Sequence, residues 1–257
     1  MKYTLSQIAT LCSGQLIGAD RTVEEVTVDS RNYTYGERSM MAAIRGRNHD
    51  GHDFIEAAYA HGVRSFLVSR KPEMIHEEAG YVVVEDTLAA LQQLAADRRA
   101  QFEGRVVAVT GSTDKTLTKE WCAQSAPDGV KIFRSPKSYN SQLGVALSLL
   151  MIEGDEQVAI VEAGISHPDQ MARLEEMIRP DVAIITNIGE QHAENFASLD
   201  AKITEKLVIA RRATIVIYDG AIEPIAQAVA QLSATKIDCR AFADPASNHR
   251  DRSLQRS

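Results

Sequence analysis

The sequence predicts an α/β protein in which a small N-terminal α/β domain precedes a larger domain built on a mostly parallel sheet with helices on both faces. From residue 105 onward, strand-like and helix-like segments alternate strictly along the chain. The strand-like segments at 158–162, 182–186 and 214–218 are nearly continuous apolar runs. Strands that are buried on both faces have this pattern, and such strands belong to parallel sheets covered by helices.

Composition and charge narrow the class of protein. Of the 257 residues, 44% are hydrophobic and 25% are charged, which excludes a disordered, collagen-like or coiled-coil chain. The net charge of −7 argues against a nucleic-acid-binding surface, because such surfaces are usually basic. Three widely spaced cysteines without a CxxC pair indicate reduced thiols. Since no signal-peptide pattern or membrane-spanning apolar stretch is present, we expect a soluble, cytoplasmic protein.

The N-terminal domain is predicted to occupy residues 1–104, with its boundary at Glu103-Gly104. Thr4 and Asp86 stand directly before apolar residues at helical spacing, where their side chains can accept hydrogen bonds from the first helical turn. The polar stretch 45–52, taken by itself, is typical of a solvated turn. The predicted helices are 4–12, 53–61 and 87–102, and the predicted strands are 23–28, 40–44, 64–68 and 81–84.

The second domain is predicted to occupy residues 105–243, with a helix after each strand and no internal repeat. The polar stretch 244–257 offers no apolar face, so we expect it to be disordered. The predicted strands are 106–110, 130–133, 157–162, 181–186 and 214–218, and the predicted helices are 116–125, 141–152, 168–178, 199–211 and 221–232.

The segment 106–121 carries the clearest functional pattern. An apolar strand ends in Thr110-Gly111, a short polar turn follows, and Lys115-Thr116 opens a helix. In a phosphate-binding loop of this layout, backbone N–H groups and the helix N-terminus face the anion, the lysine supplies a positive charge, and the threonine hydroxyl can hold Mg²⁺. The second domain is therefore predicted to be of the P-loop type and to bind a nucleotide.

One residue of this loop departs from the pattern. Such loops carry glycine before the lysine, which permits a positive φ and a close approach to phosphate, whereas this chain has Asp114. A carboxylate 4 Å from a phosphate charge costs about 4 kcal/mol at an effective dielectric constant of 20, on the order of a thousandfold in affinity. We expect Asp114 to weaken nucleotide binding; the alternative is that it helps to hold the metal ion.

Polar residues follow three of the predicted strands, in the loop 110–116, in Glu162-Ala163-Gly164 and in the segment 186–192. Since the carboxyl ends of parallel strands meet at one edge of a sheet, these residues are expected to converge. Glu162 is either a strand-end carboxylate that reaches water or a Mg²⁺ ligand. A single histidine such as His192 is more often a surface residue than a ligand.

Seven motifs occur in order between residues 1 and 218: Asp29-Ser30-Arg31; Ala43-Ile-Arg-Gly46 with Asp50-Gly-His52; Thr110-Gly-Ser-x-x-Lys-Thr116 with Lys119-Glu120-Trp121; Ser135-Pro-x-Ser-Tyr-Asn140; Glu162-Ala-Gly164; Thr186-Asn-Ile-Gly189 with His192; and Glu205-Lys206. As an ordered set they resemble the ATP-dependent Mur ligases of peptidoglycan synthesis. They are most similar to the branch that adds D-alanyl-D-alanine to UDP-N-acetylmuramoyl-tripeptide, in the form fused to an alanine racemase.

The resemblance implies a role for each matching residue. The UDP end of the substrate would lie against Ser30, Arg31, Gly46, Asp50 and His52, with Asn140 near the nucleotide and the acceptor. ATP would be held by Thr110, Gly111, Ser112, Lys115, Thr116 and Asn187, and Mg²⁺ by Thr116, Glu162 and His192. The catalytic set would be Lys115, Glu162, His192 and Lys206, of which Lys206, 14 residues after His192, would be the family's carbamylated lysine.

The resemblance also implies the reaction. ATP would phosphorylate the peptide carboxylate of the UDP-linked substrate, and the amine of D-Ala-D-Ala would displace phosphate from the acyl phosphate. Asp169-Gln170 stands where the family usually has Gly-Glu, and we expect the chain to be a truncated form without the family's C-terminal domain. Two other readings stay open: a non-catalytic relic that keeps UDP-precursor binding or an interaction role, and a different P-loop enzyme such as a small-molecule kinase.

Overall fold

The computed structural model describes residues 1–29, 36–46, 48–189 and 193–240, and the predicted tail 244–257 lies outside them. The chain divides into two compact units. The first consists of Met1–Phe102 and Ala146–Gly154, and the second of Glu103–Val145 and Asp155–Ser257. Across the described ranges, no helix is both long enough and apolar enough to cross a membrane.

The first unit is built on a five-stranded mixed sheet. Its elements are β1 (Tyr3–Thr4), α1 (Leu5–Leu11), β2 (Gln15–Gly18), β3 (Thr22–Val23), β4 (Glu25–Thr27), β5 (Ser39–Ala42), α2 (Ile55–Ala60, after a 3₁₀ turn at Gly51–Phe54), β6 (Ser65–Val68), β7 (Gly80–Val83) and α3 (Thr87–Gln101). The strand order is β2-β7-β6-β5-β4, parallel except between β2 and β7. Strands β1 and β3 form a separate antiparallel pair.

Local sequence explains where the helices of this unit begin. Thr4 and Gln7 form a reciprocal capping box at the start of α1. The Asp86 carboxylate accepts from Leu88 N at 2.7 Å and from Ala89 N at 3.0 Å, so both predicted caps are confirmed. The prediction omitted β2, because Gln15–Gly18 has only two apolar residues and becomes a strand by pairing with β7.

The second unit is built on a six-stranded sheet in which every neighbouring pair is parallel. Its elements are β8 (Arg105–Thr110), α4 (Lys115–Gln124), β9 (Ile132–Arg134), the start of α5 (Gln142–Leu150, whose residues from Ala146 onward belong to the first unit), β10 (Val158–Ala163), α6 (Met171–Ile178), β11 (Val182–Ile185), α7 (Leu199–Leu207), β12 (Ile215–Tyr218), α8 (Glu223–Ala230) and β13 (Thr235–Asp238). The strand order is β13-β12-β11-β8-β10-β9. This arrangement confirms the predicted α/β class and the mostly parallel sheet.

Two predicted helices and one missing strand need correction. The helix expected from residue 168 begins at Met171, because Asp169 has a φ of 63° and the Gln170 side chain closes the preceding turn by accepting from Ser166 N. The helix expected to reach residue 211 ends at Leu207 and continues as a 3₁₀ turn. The largely polar strand β13 was not predicted, since its pairing with β12 defines it.

Strand β8 lies between β10 and β11, and this position organises the functional edge of the sheet. Its last residue, Thr110, is in register with Ala163 on one side and Ile185 on the other. The polar segments that follow these three strands therefore lie side by side, as the sequence predicts. From β8 the chain passes to β9 and β10 on one side of that strand and then to β11 on its other side. Ligands of open α/β sheets bind at such a switch point.

Candidate functional site

The loop between β8 and α4 has the backbone of a phosphate-binding loop. Asp114, the residue before the helix, has a φ of 64°, in the left-handed region. Gly111 has a φ of 153°, and a Cβ atom there would lie 1.8 Å from Thr186 Oγ1. The loop thus requires glycine at position 111. At position 114 the unusual backbone falls on aspartate, one of the few other residue types that adopt it readily.

Thr110 and Ser112 fix this loop to the ends of the neighbouring strands. Thr110 Oγ1 donates to Ala163 O at 2.8 Å, and Ser112 N donates to Asn187 O at 2.6 Å. Gly189 N donates to Ser112 Oγ at 3.1 Å. In this structure the two predicted ATP-binding residues Thr110 and Ser112 therefore shape the loop through bonds to the protein.

Two lysines converge on the carbonyl groups of the loop. Lys115 Nζ donates to Gly111 O and to Ser112 O, both at 2.9 Å, and Lys206 Nζ donates to Gly111 O at 3.0 Å. Burial, and then repulsion from Lys115 and Lys202, lowers the pKa of Lys206 to about 7. Burial also lowers the pKa of Lys115. Spacing alone would place Lys206 in solvent, but its side chain is only 2% exposed.

Glu162, the last residue but one of β10, carries a wholly buried carboxylate. Thr116 Oγ1 donates to Glu162 Oε2 at 3.1 Å, and Asn140 Nδ2 lies 3.5 Å from the same oxygen. A carboxylate and a hydroxyl are oxygen donors of the kind that Mg²⁺ prefers. The contact between Thr116 and Glu162 is compatible with the metal site, which stays a prediction. The burial of Glu162 contradicts the other reading, a strand-end carboxylate that reaches water.

Two further buried lysines belong to this region, and the sequence did not assign a role to either. Lys119, on α4, has its Nζ atom 3.0 Å from Glu162 Oε1. Lys202, on α7, donates to Gly189 O at 2.5 Å. Nothing in the local sequence distinguishes a buried lysine from a solvated one. The signal for Lys119 was its place in the motif Lys119-Glu120-Trp121.

The two predicted asparagines also lie in the second unit. Asn140 accepts a hydrogen bond from Gly164 N through its backbone oxygen at 2.8 Å, and a Cβ atom on Gly164 would lie 2.9 Å from Asn140 Cγ. Gly164 therefore allows Asn140 to reach Glu162. Asn187 is exposed and lies just after β11, the strand that is paired with β8.

The described residues of the stretch 45–52, which are 45–46 and 48–52, bond to one another within the first unit. Gly46 N donates to His49 O at 2.8 Å. Asp50 Oδ1 lies 2.6 Å from His52 Nδ1, and Asp50 Oδ2 accepts from Arg70 at 2.8 Å. Although burial alone raises the pKa of Asp50, the bonds from His52 and Arg70 outweigh it and hold that pKa below its ordinary range.

His52 is buried at the end of this stretch, and both of its ring nitrogens are engaged. Its Nε2 atom accepts from Ser69 N at 2.9 Å, so Nδ1 carries the proton and donates to Asp50. His52 therefore helps to hold the stretch in shape, and Gly46 and Asp50 belong to the same stretch. The predicted site residues Ser30, Arg31 and His192 lie outside the described residues.

The sheet and its loop together define a class of protein. A parallel sheet whose central strand ends in a glycine-containing loop, followed by lysine and threonine at a helix start and a buried carboxylate on the next strand, is a nucleotide-binding domain of the P-loop type. The chain belongs to the Mur ligase family. The family model of the Mur ligase middle domain matches residues 109–253, and that of the Mur ligase family catalytic domain matches residues 22–99.

Its relatives include UDP-N-acetylmuramoyl-tripeptide–D-alanyl-D-alanine ligases. That of Escherichia coli (strain K12) is 35% identical over 199 residues, covering 77% of this chain and 43% of the relative. That of Bacillus subtilis (strain 168) is 30% identical over 233 residues, covering 88% of this chain and 50% of the relative. The chain thus spans about half the length of the curated relatives it matches.

Solved structures give the same relationship. MurF from Acinetobacter baumannii superimposes with a TM-score of 0.81 at 27% identity, covering 93% of this chain and 53% of that one. MurF ligase from Thermotoga maritima, solved in complex with ADP, superimposes with a TM-score of 0.73 at 27% identity, covering 83% of this chain and 49% of that one. The fold is therefore that of this family.

Proposed function

We propose that this chain supplies the nucleotide site and the UDP-precursor site of an ATP-dependent ligase that adds D-alanyl-D-alanine to UDP-N-acetylmuramoyl-tripeptide. One observation carries the proposal. Lys115, Thr116, Glu162 and Lys206 come together around one loop at the carboxyl edge of the sheet. Relatives of similar sequence bear the name of this ligase, and one related structure contains ADP.

The proposed reaction has two steps. A carboxylate oxygen of the UDP-linked tripeptide attacks the γ-phosphorus of ATP, and ADP leaves. The amine of D-Ala-D-Ala then attacks the acyl carbon, loses a proton and displaces inorganic phosphate. Phosphoryl transfer of this kind depends on positioning and on neutralising charge, which is the part we assign to the Lys115 ammonium. Mg²⁺, held by Thr116, Glu162 and His192, would supply further neutralisation of the phosphate charge.

Lys206 is proposed to be the carbamylated lysine that the family resemblance implies. Carbamylation needs a neutral amine, whose nitrogen attacks CO₂ and releases one proton. A lysine with its pKa lowered to about 7 is neutral in about half of the molecules at neutral pH. The resulting carbamate would add an anionic oxygen donor to a region otherwise rich in lysine.

Trp121, the single tryptophan of the chain, allows a direct test because it lies on α4 and is 59% exposed. We expect MgATP to change its fluorescence saturably and Lys115→Met to weaken that binding at least tenfold, through loss of the phosphate-facing charge. Lys131→Met is the matched control, since Lys131 precedes β9 at the opposite edge of the sheet. In CO₂-depleted buffer, wild-type affinity should fall, whereas that of Lys206→Met should not.

Absence of MgATP binding by both fluorescence and calorimetry would reject the proposed nucleotide site. Asp114 favours a second candidate, a non-catalytic protein that still binds the UDP-linked precursor. Calorimetry with UDP-N-acetylmuramoyl-tripeptide separates the two: precursor binding without MgATP binding supports the second candidate. Binding of MgATP without the precursor would instead favour a different P-loop enzyme.

A further inference from the structure

Lys119 is a buried ammonium for which the proposed reaction has no use. Its side chain is wholly buried, as is that of Glu162. Lys119 Nζ donates to Ser135 O at 2.6 Å and to Lys137 O at 2.7 Å. Its third near neighbour is Glu162 Oε1, at 3.0 Å. The two carbonyl oxygens thus take two of the three N–H donors of the ammonium, and its contact with Glu162 is an ion pair.

The contact with Lys119 also compensates the charge at one oxygen of Glu162. Oε1 is buried and has no aligned hydrogen-bond donor among the described residues, so the charge of Lys119 is what compensates it. Oε2 accepts from Thr116 and faces the position proposed for the cation. The carboxylate is therefore divided between a fixed internal cation at one oxygen and the ligand site at the other.

Two other ammonium groups lie in this region: Lys115 bonds the carbonyl oxygen of Gly111, and Lys202 bonds that of Gly189. Glu120 lies 3.4 Å from the Lys119 ammonium, but its side chain is 32% exposed and pairs with Arg134. Before a nucleotide binds, Glu162 is thus already neutralised in a region that repels a free cation.

We propose that Lys119 is the internal counter-ion of Glu162 and that it makes divalent-cation binding at this site depend on the nucleotide. A free divalent ion meets a carboxylate already neutralised by Lys119, with the ammonium groups of Lys115 and Lys202 nearby, so it binds weakly. Nucleotide phosphates bring the negative charge that offsets this repulsion. Lys119 is a positioning residue in this account, and the account rests on the proposed nucleotide site.

The test is electron paramagnetic resonance of Mn²⁺, a probe of Mg²⁺ sites, with the whole chain in the presence and absence of ADP. Wild-type protein should take up Mn²⁺ together with ADP and show no saturable site at Glu162 without it. Lys119→Met should acquire a nucleotide-independent Mn²⁺ site at least tenfold tighter than any in the wild type. Adding Glu162→Gln to that variant should remove the new site.

Glu120→Gln is the matched control, because it alters a carboxylate at 3.4 Å from the same ammonium and should keep wild-type behaviour. Equal nucleotide-free Mn²⁺ affinity in the wild type and in Lys119→Met, at a site removed by Glu162→Gln, would overturn the proposal. So would weaker Mn²⁺ binding by folded Lys119→Met in both conditions.

Lys119→Gln, which is neutral but keeps hydrogen-bond donors, carries the same expectation if Lys119→Met does not fold. Failure of both variants to fold would assign Lys119 a purely structural role and overturn the proposal. If the wild type does not bind ADP, the proposed function fails, but the nucleotide-free comparison of wild type and variant still decides the role of Lys119.

Discussion

Asp114 shows how one residue can keep a backbone and change its chemistry. Its φ of 64° is the left-handed conformation for which phosphate loops use glycine, and Asp169, the other aspartate at an expected glycine position, has a φ of 63°. Both side chains are exposed, and the Asp114 carboxylate accepts from Thr113 Oγ1 at 2.8 Å. The shape of the loop is therefore retained, and what the substitution adds is a negative charge next to the proposed phosphate site.

Replacing Asp114 should separate the charge from the backbone. Because the carboxylate is exposed and solvent screens it, we expect Asp114→Asn to raise MgATP affinity about five- to tenfold, less than the thousandfold of an unscreened estimate. Asp114→Gly should raise MgATP affinity at least as much. Asp114→Ala removes the same charge but lacks the tolerance of a positive φ, so it should bind MgATP as Asp114→Asn does while lowering the melting temperature.

Asp169→Gly is the matched control for these variants. Asp169 has the same left-handed backbone conformation outside the phosphate loop, and glycine adopts that conformation without strain. The substitution should therefore raise stability slightly and leave nucleotide affinity unchanged. An unchanged MgATP affinity in both Asp114→Asn and Asp114→Gly would show that the aspartate charge does not oppose the nucleotide.

At the scale of elements, helix α6 carries a buried carboxylate without hydrogen bonds. Glu175 is fully buried, and neither of its carboxylate oxygens has a hydrogen-bond partner among the described residues. Burial raises the pKa of Glu175, although Arg212, with Nε at 3.6 Å, opposes that rise. A pKa raised in the folded state favours the protonated form there. This group therefore lowers stability progressively as the pH rises through its raised pKa.

Glu175→Met should remove both the buried carboxylate and its pH dependence. Near neutral pH and above, we expect the free energy of unfolding to rise by about 1–3 kcal/mol, the cost of an unsatisfied buried polar group. The gain should shrink in mildly acidic buffer, where the native carboxyl group is protonated. Urea unfolding at several pH values measures this. Glu176→Met, on the exposed side of the same helix, should change little.

The sheet itself shows which elements sequence can predict. Strands β8, β10 and β11 were predicted because they are continuous apolar runs, and burial on both faces keeps such runs in the sheet. Strands β2 and β13 escaped prediction because their residues are largely polar and extend only by pairing with a neighbour. The start of α6 depended on the turn closed by Gln170, which periodicity does not reveal.

At the scale of the whole molecule, the two units have separate cores. Phe66 and Tyr81 stack at 5.2 Å in the first unit, while Val106, Ala108 and Val109 of β8 are fully buried in the second. The proposed precursor contacts at Gly46 and Asp50 belong to the first unit, and the phosphate loop belongs to the second. The UDP-linked precursor is thus assigned to the first unit and the nucleotide to the second, and each unit has its own core.

Hydrogen exchange can test this division. We expect MgADP to slow amide exchange in 110–116 and 186–189, because loop N–H groups would donate to phosphate and the second segment is bonded to the loop. UDP-N-acetylmuramoyl-tripeptide should slow exchange in 45–52. Lys115→Met should abolish the first effect and keep the second. Protection of 45–52 by MgADP alone would contradict this assignment of the ligands.

The sequence by itself determined the α/β class, the parallel sheet, the phosphate loop and the order of its motifs, because apolar runs and turn residues act locally. It also indicated that Thr116 and Glu162 would lie close together, since both are near the carboxyl ends of strands of one sheet. Their side-chain states depended on tertiary structure. Tertiary packing decides which face of a helix or loop turns inward. It therefore buries Lys119, Lys202 and Lys206, engages both ring nitrogens of His52 and leaves the Glu175 carboxylate without hydrogen bonds. Packing removes water from these charged groups, and the periodicity of one segment does not specify which protein atoms take the place of that water.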